Sequence, residues 1–295
     1  MFYLKAIQRF QIVFLCLLGI SNSLEAQDKI VKGRIIDTET KQPISYVNIG
    51  VYQKNIGTVS DEKGQFEFVF SANSFANDSI IFSHIGYQTV KYSISQLVNP
   101  IGDLQLSPAS NLLQEVVIKP KKTVKKILGR DGRGLGLMYY NFYTYYEKEV
   151  DDRLGKEAGI LISVKKDCFL DEFQMYISSN EFSSLKFRLN FYKVKDGIPT
   201  ELLFQKEIIF EIKDEFVGLY KLDLSPYSLF LTKDLGDIAA SIQWVESKKA
   251  QPKSKYFSLY SSLSAKSSFI SRPKSMAKWT TSKQEVSLCF LTACN

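Results

Sequence analysis

One histidine, two tryptophans and four cysteines stand in 295 residues. The solitary histidine, His84, removes whole classes of chemistry. A zinc carboxypeptidase or an H-E-x-x-H protease needs at least two histidine ligands, and neither can be assembled here. A Ser-His-Asp triad would have to use His84, and no G-x-S-x-G elbow is present. His84 lies in SHIGYQT, at a strand end beside Gly86, and its place in a strand pattern reads as structural. The adjacent acids Asp151-Asp152, Asp171-Glu172 and Asp214-Glu215 point to opposite faces in an extended chain, so none is a ready glycosidase pair. A pair drawn together from distant strands stays open. The reading is a non-enzyme with no cofactor and no metal.

Long apolar runs are just as scarce. The longest near the N-terminus, residues 12–20 (IVFLCLLGI), falls short of the roughly 20 residues that span a bilayer. Lys5 and Arg9 precede it and SNSLEAQ follows, so residues 1–26 read as a cleaved secretory signal peptide. The chain is then expected to be exported, in the periplasm or associated with an outer membrane, and not to be an integral membrane protein. Cleavage removes Lys5, Arg9 and Glu25 and lowers the formal net charge of +7 by one unit. That modest excess fits anionic envelope polymers and makes no case for nucleic acid. Cys168, Cys289 and Cys294 remain, enough for one disulfide and one thiol, with the pairing open.

What is abundant is β signal: 16 Tyr, 21 Phe and many Ile and Val. QFEFVF (65–70) alternates, as does ISYVNIGVYQ (44–53), where Ile44, Tyr46, Asn48 and Gly50 share one face and Val47, Ile49 and Val51 the other. Short strands at regular spacing over residues 27–118 predict a seven-strand sandwich. Between two of them stands NIGTVSDEKG. Asp61 can accept backbone hydrogen bonds, Gly64 supplies a positive φ, and Gly57 marks a bulge or close backbone approach. No Gly-Lys-Ser/Thr follows and one Asp cannot build a calcium loop, so the stretch is a sheet corner.

The same residues resemble the carboxypeptidase regulatory-like domain family, transthyretin-like sandwiches common in exported proteins of the Bacteroidetes. The marks are Gly33, Gln42-Pro43-Ile44, Gly57-Thr58, Ser60-Asp61, Gly64-Gln65-Phe66 and Ile85-Gly86-Tyr87, over residues 29–106. The resemblance implies a non-catalytic module, with Gly57, Asp61, Gly64 and Gly86 as structural turn residues. Such domains also precede the plug of TonB-dependent transporters, but no segment long enough for a large barrel follows here.

Residues 119–137 carry seven basic residues and one acid between Lys119 and Arg133, then four glycines, and read as a solvated linker with a turn of helix at 123–128. From 138 to 295 the β signal resumes and predicts a larger, jelly-roll-like sandwich, loosely similar to galactose-binding-like folds. In SLKFRLNFYKV, Leu185, Phe187, Leu189 and Phe191 face the core and Lys186, Arg188, Asn190 and Tyr192 face away. Asp196-Gly197 signals a hairpin, and MAKWT (276–280) reads as a short strand. Trp244 alternates with Ile242 and reads as core. Trp279, Lys278 and Tyr143 of the 139–146 tyrosine cluster are the ligand-binding candidates, as exposed aromatics beside hydrogen-bonding groups. The function read from all this is a cell-envelope binding or adaptor protein whose partner is another envelope protein or a polysaccharide. The alternatives are a carbohydrate-binding accessory protein for glycan uptake and, last, a carboxylate hydrolase.

Overall fold

The computed structural model describes residues 28–71, 77–96, 101–109, 123–143, 153–266 and 268–295. The proposed signal peptide and Tyr146 lie outside the described residues. Among the described residues no helix is long and apolar enough to cross a membrane.

The first sandwich has two sheets. β1 (Asp28–Asp37) is central in one, with β4 (Gln65–Ser71) antiparallel on one side and β7 (Gly102–Leu106) parallel on the other. The other sheet runs β3 (Gly57–Val59), β2 (Asn48–Val51), β5 (Ser79–Ser83), β6 (Val90–Ser93). Period-two alternation puts Val31, Ile35, Phe66 and Leu104 of the first sheet against Ile49, Val51, Ile80 and Phe82 of the second. Phe66 meets Phe82 edge to face at 5.6 Å. The corner before β4 closes on Asp61, whose Oδ1 accepts the N–H of Lys63 (2.9 Å) and of Gln65 (2.7 Å), while Gly64 sits at φ +72°. A Cβ on Gly57 would run into the Ile49 carbonyl across the β2–β3 ladder. Gly86, at φ +82°, turns the chain after His84.

The second sandwich also has two sheets. One runs β13 (Ile198–Leu202), β12 (Phe182–Lys195), β17 (Asp237–Lys249), β10 (Glu157–Ser163), β19 (Phe269–Arg272), β20 (Thr280–Ser282), with β14 (Ile209–Lys213) also on β12. Its partner runs β21 (Gln284–Val286), β18 (Phe257–Leu263), β11 (Cys168–Asn180), β22 (Leu288–Cys294), β8 (Val124–Gly129). β15 (Gly218–Asp223) and β16 (Phe230–Leu231) add to β11, and β9 (Met138–Asn141) to β18. Phe187, Phe191 and Trp244 from one sheet interleave with Phe257, Phe290 and Phe173 from the other. The β12–β13 hairpin turns at Asp196 and Gly197, both at positive φ, as that dipeptide predicts.

Three expectations are corrected. The basic stretch read as a linker with a helical turn contains β8, which pairs with β22 from Val124 to Gly129. Lys125 and Lys126 are exposed on a sheet-edge strand, where lysines discourage pairing with another chain. Residues 276–279 form a loop, with Met276 at φ +69°, and β20 begins only at Thr280. The outer face of β12 is not a solvent face: Arg188, Asn190 and Tyr192 are buried.

Cys168 and Cys294 lie opposite each other on β11 and β22 and form a disulfide that closes 126 residues of sequence. Cys289 is a buried thiol, pushed up to about 12 by burial and then by Asp131 and Glu172, and so is held inert. Replacing Cys168 and Cys294 together by serine should cost about 2–4 kcal/mol, because the open chain regains loop entropy. Thermal unfolding with and without reductant checks this, and an unchanged midpoint would show that the bridge carries no stability.

Candidate functional site

The site grows out of two sheet faces that each sandwich turns away from its own core. On β2 the residues between core positions are Asn48 and Gly50, and Tyr46 just precedes them. On β12 and β17 they are Arg188, Asn190, Tyr192, Ser241 and Gln243. These faces meet. Arg188, 2% exposed, donates to the Tyr46 carbonyl (2.6 Å), Glu207 (2.7 Å) and Gln243 (3.0 Å). The Gln243 amide donates to Asn48 Oδ1 at 2.9 Å, and Ser275 donates to the same oxygen at 3.1 Å. Tyr46 donates to Glu246 (2.7 Å) and accepts from Lys186 (2.9 Å). Burial first, and then Glu246, push the Tyr46 hydroxyl up to about 12. Gly50 permits the closest approach: a Cβ there would lie 2.6 Å from the Ser275 carbonyl.

Beneath this seam Glu157 is fully buried. It accepts from Ser241 (2.7 Å), Tyr192 (2.9 Å), Arg272 Nε (2.8 Å) and Gln243 (3.3 Å). Burial works to lower the Arg272 guanidinium, but the Glu157 charge overrides it and the net shift is upward. Tyr192 is driven far above its ordinary range by burial and by Glu157.

Beyond the seam the faces diverge and leave a groove of about 650 Å³. One wall is the outer face of β5 and β6, with Ser79, Ile81, Ser83 and Lys91. The other is the outer face of β12 with the hairpin strand β13, presenting Asn190, Tyr192, Thr200 and Glu201. Tyr52, 63% exposed, stands at the groove with its ring uncovered. His84 also lines it. Its Nδ1 donates to the Ile85 carbonyl at 2.8 Å and its Nε2 lies 3.1 Å from Glu207. Burial would raise Glu207, but His84 and then Arg188 outweigh it and hold the carboxyl at about 2.

The candidates Trp279, Lys278 and Tyr143 are not brought together. Trp279 is half-buried; Arg272 covers its ring at 4.4 Å and Tyr192 meets it edge-on at 5.5 Å. Lys278 is exposed beside it. Tyr143 packs on Arg153, Lys255 and Tyr256, near Phe182 at the other end of β12, roughly 30 Å away by strand rise. Trp244 is fully buried in the core. The groove residues had one signal in sequence, the polar alternation through Arg188, Asn190 and Tyr192, which reads equally well as a face turned to water.

Residues 31–118 match the family model of the CarboxypepD_reg-like domain. No curated protein matches the chain. Solved structures are similar to the chain only at low identity and low TM-score. The cysteine protease and lectin-like domains of Cwp84, a surface layer associated protein of Clostridium difficile, are 12% identical over 85% of this chain and 59% of that one, with a TM-score of 0.41. A putative carbohydrate binding protein from Bacteroides uniformis is 10% identical over 86% of this chain and 98% of that one, with a TM-score of 0.19. The chain thus spans about three-fifths of the Cwp84 chain it matches.

Proposed function

We propose that this protein, whose residues 31–118 form a carboxypeptidase regulatory-like domain, is a non-catalytic envelope protein that binds a hydroxyl-rich polymer, a polysaccharide segment, in the groove between its sandwiches. The groove is the observation that carries this reading. Its walls offer hydroxyls from Ser79, Ser83 and Thr200 beside the open ring of Tyr52. Donors and acceptors spread along two walls, with one aromatic face for stacking, suit a sugar chain better than a compact charged ligand.

The absence of catalysis is supported by how the reactive groups are committed. Glu207 is held ionised by His84 and Arg188 and so is a poor general acid at neutral pH. Glu157 is sealed away from the groove by its own donors. The Cys168–Cys294 disulfide fits an oxidising compartment, in keeping with export.

A glycan array and polysaccharide pull-down with the whole chain tests the proposal. Wild-type protein should bind saturably. Tyr52→Ala should weaken binding by roughly tenfold through loss of the stacking face. Trp279→Ala should leave it intact, because that ring already serves Arg272. Absence of glycan binding by the wild type, or full binding by Tyr52→Ala, would sink the reading and turn attention to a protein partner.

A further inference from the structure

The larger sandwich has a corner that exposes leucines. Leu135, Leu137 and Leu263 are 90%, 78% and 77% exposed. Met138 pairs with Ser261 across β9 and β18. Leu137 directly precedes that pair and Leu263 lies two residues past it, so both belong to one corner.

The backbone beneath them is fixed. Arg130 donates to the Ser262 hydroxyl, Ser287 donates to the Gly132 carbonyl at 2.6 Å, and Tyr139 donates to the Gly136 carbonyl at 2.6 Å. The Tyr139 ring rests on Tyr260 at 5.6 Å. Glycines 132, 134 and 136 at positive φ carry the loop outward between these ties. The corner is therefore a set of anchored apolar projections.

Its surroundings are basic. Arg133, whose guanidinium lies over the Tyr176 ring at 5.9 Å, and Lys266 are exposed two and three residues from Leu135 and Leu263, and Lys125 and Lys126 are exposed on β8, the strand that leads into the loop. Of the nearby acids, Glu285 is engaged by Arg130 and by Ser264, leaving Asp131 exposed.

We infer that this corner docks on an anionic lipid surface, with Leu135, Leu137 and Leu263 entering the acyl boundary and Arg133 and Lys266 meeting the headgroups. Single side chains that project this far would need a matched pocket each on a rigid protein, whereas a bilayer interface closes around them without one. The basic rim supplies the preference for anionic headgroups. The inference does not depend on what fills the groove.

Vesicle flotation tests it, with phosphatidylcholine alone and mixed with phosphatidylglycerol. The chain begins at Gln27, because residues 12–20 would bind lipid by themselves, and it keeps every described residue. Wild-type protein should float with the mixed vesicles and less so at high salt. Each Leu→Ser change should weaken binding by about tenfold, and the triple variant by more than about a hundredfold, with an unchanged melting curve. Arg133→Gln with Lys266→Gln should weaken the preference for phosphatidylglycerol severalfold. The inference is overturned if the wild type floats with neither vesicle, or if the triple variant floats as well as the wild type. It is also overturned if the leucines prove to drive self-association in the absence of lipid, seen as a fall in sedimentation coefficient in the triple variant.

Discussion

Glu157→Ala should cost about 3–5 kcal/mol and lower the melting temperature by on the order of 10 °C. The cost comes from what the carboxylate leaves behind. Glu157 is completely buried, and Arg272 points two nitrogens at it from β19. Truncation strands that guanidinium under the seam against the Trp279 ring, with the Tyr192 hydroxyl, 3.1 Å away, as its one hydrogen-bond partner among the described residues. Ser241 and Tyr192 lose their acceptor in the same step. A buried ion pair is expensive to break and often adds little when intact, because desolvation offsets most of the attraction. The double variant Glu157→Leu with Arg272→Met removes both charges and should recover most of the lost stability. Chemical denaturation of the single and double variants decides the point. A double variant as unstable as the single one would show that the net attraction of the pair, and not the stranded charge, holds this region.

Much of the architecture is readable from the chain alone, because it depends on local alternation. Leu185, Phe187, Leu189 and Phe191 sit in the core as their spacing requires, and Asp61 closes its corner with the hydrogen bonds its side chain can accept. The seam is a different matter. A polar residue at every second position of a strand looks the same whether it meets water or the polar face of another sandwich. Arg188 bonds to Tyr46, 142 residues earlier in sequence, and no local pattern encodes that contact. The stretch through Lys125 and Lys126 misled for a related reason. Lysines that protect a sheet edge and lysines in a spacer give the same dense charge, and only the pairing with β22 separates them. The cysteine pairing had the same gap, since 126 residues separate Cys168 from Cys294. An aromatic beside a hydrogen-bonding group reads in sequence as a stacking platform, but the Trp279 ring is covered by Arg272.

Arg188→Ala should uncouple the two sandwiches. This side chain joins the Tyr46 carbonyl of one to Glu207 and Gln243 of the other, at 2.6–3.0 Å and 2% exposure. Its removal leaves Glu207, one-third exposed, with His84 as its remaining partner among the described residues and Gln243 Oε1 short of a donor, a loss of about 2–3 kcal/mol. The planar fork matters as much as the charge, so Arg188→Lys should rescue little. Calorimetry of the wild type should give one transition and of the variant two, because among the described residues the apolar part of the seam is the small cluster of Tyr46, Val59 and Val245 with Leu154 and Ile209. Acid should reach the same state in the wild type. Glu207 is depressed from its ordinary 4.5 to about 2, so its contribution is complete above pH 4.5 and disappears as pH falls through about 2. The groove lies between the walls that this contact holds at a fixed spacing. Arg188→Ala should therefore abolish polysaccharide binding together with coupled unfolding, while Tyr52→Ala weakens binding by roughly tenfold and leaves the single transition intact. A single transition in Arg188→Ala would mean that Asn48, Gln243 and Ser275 suffice to set the spacing of the walls.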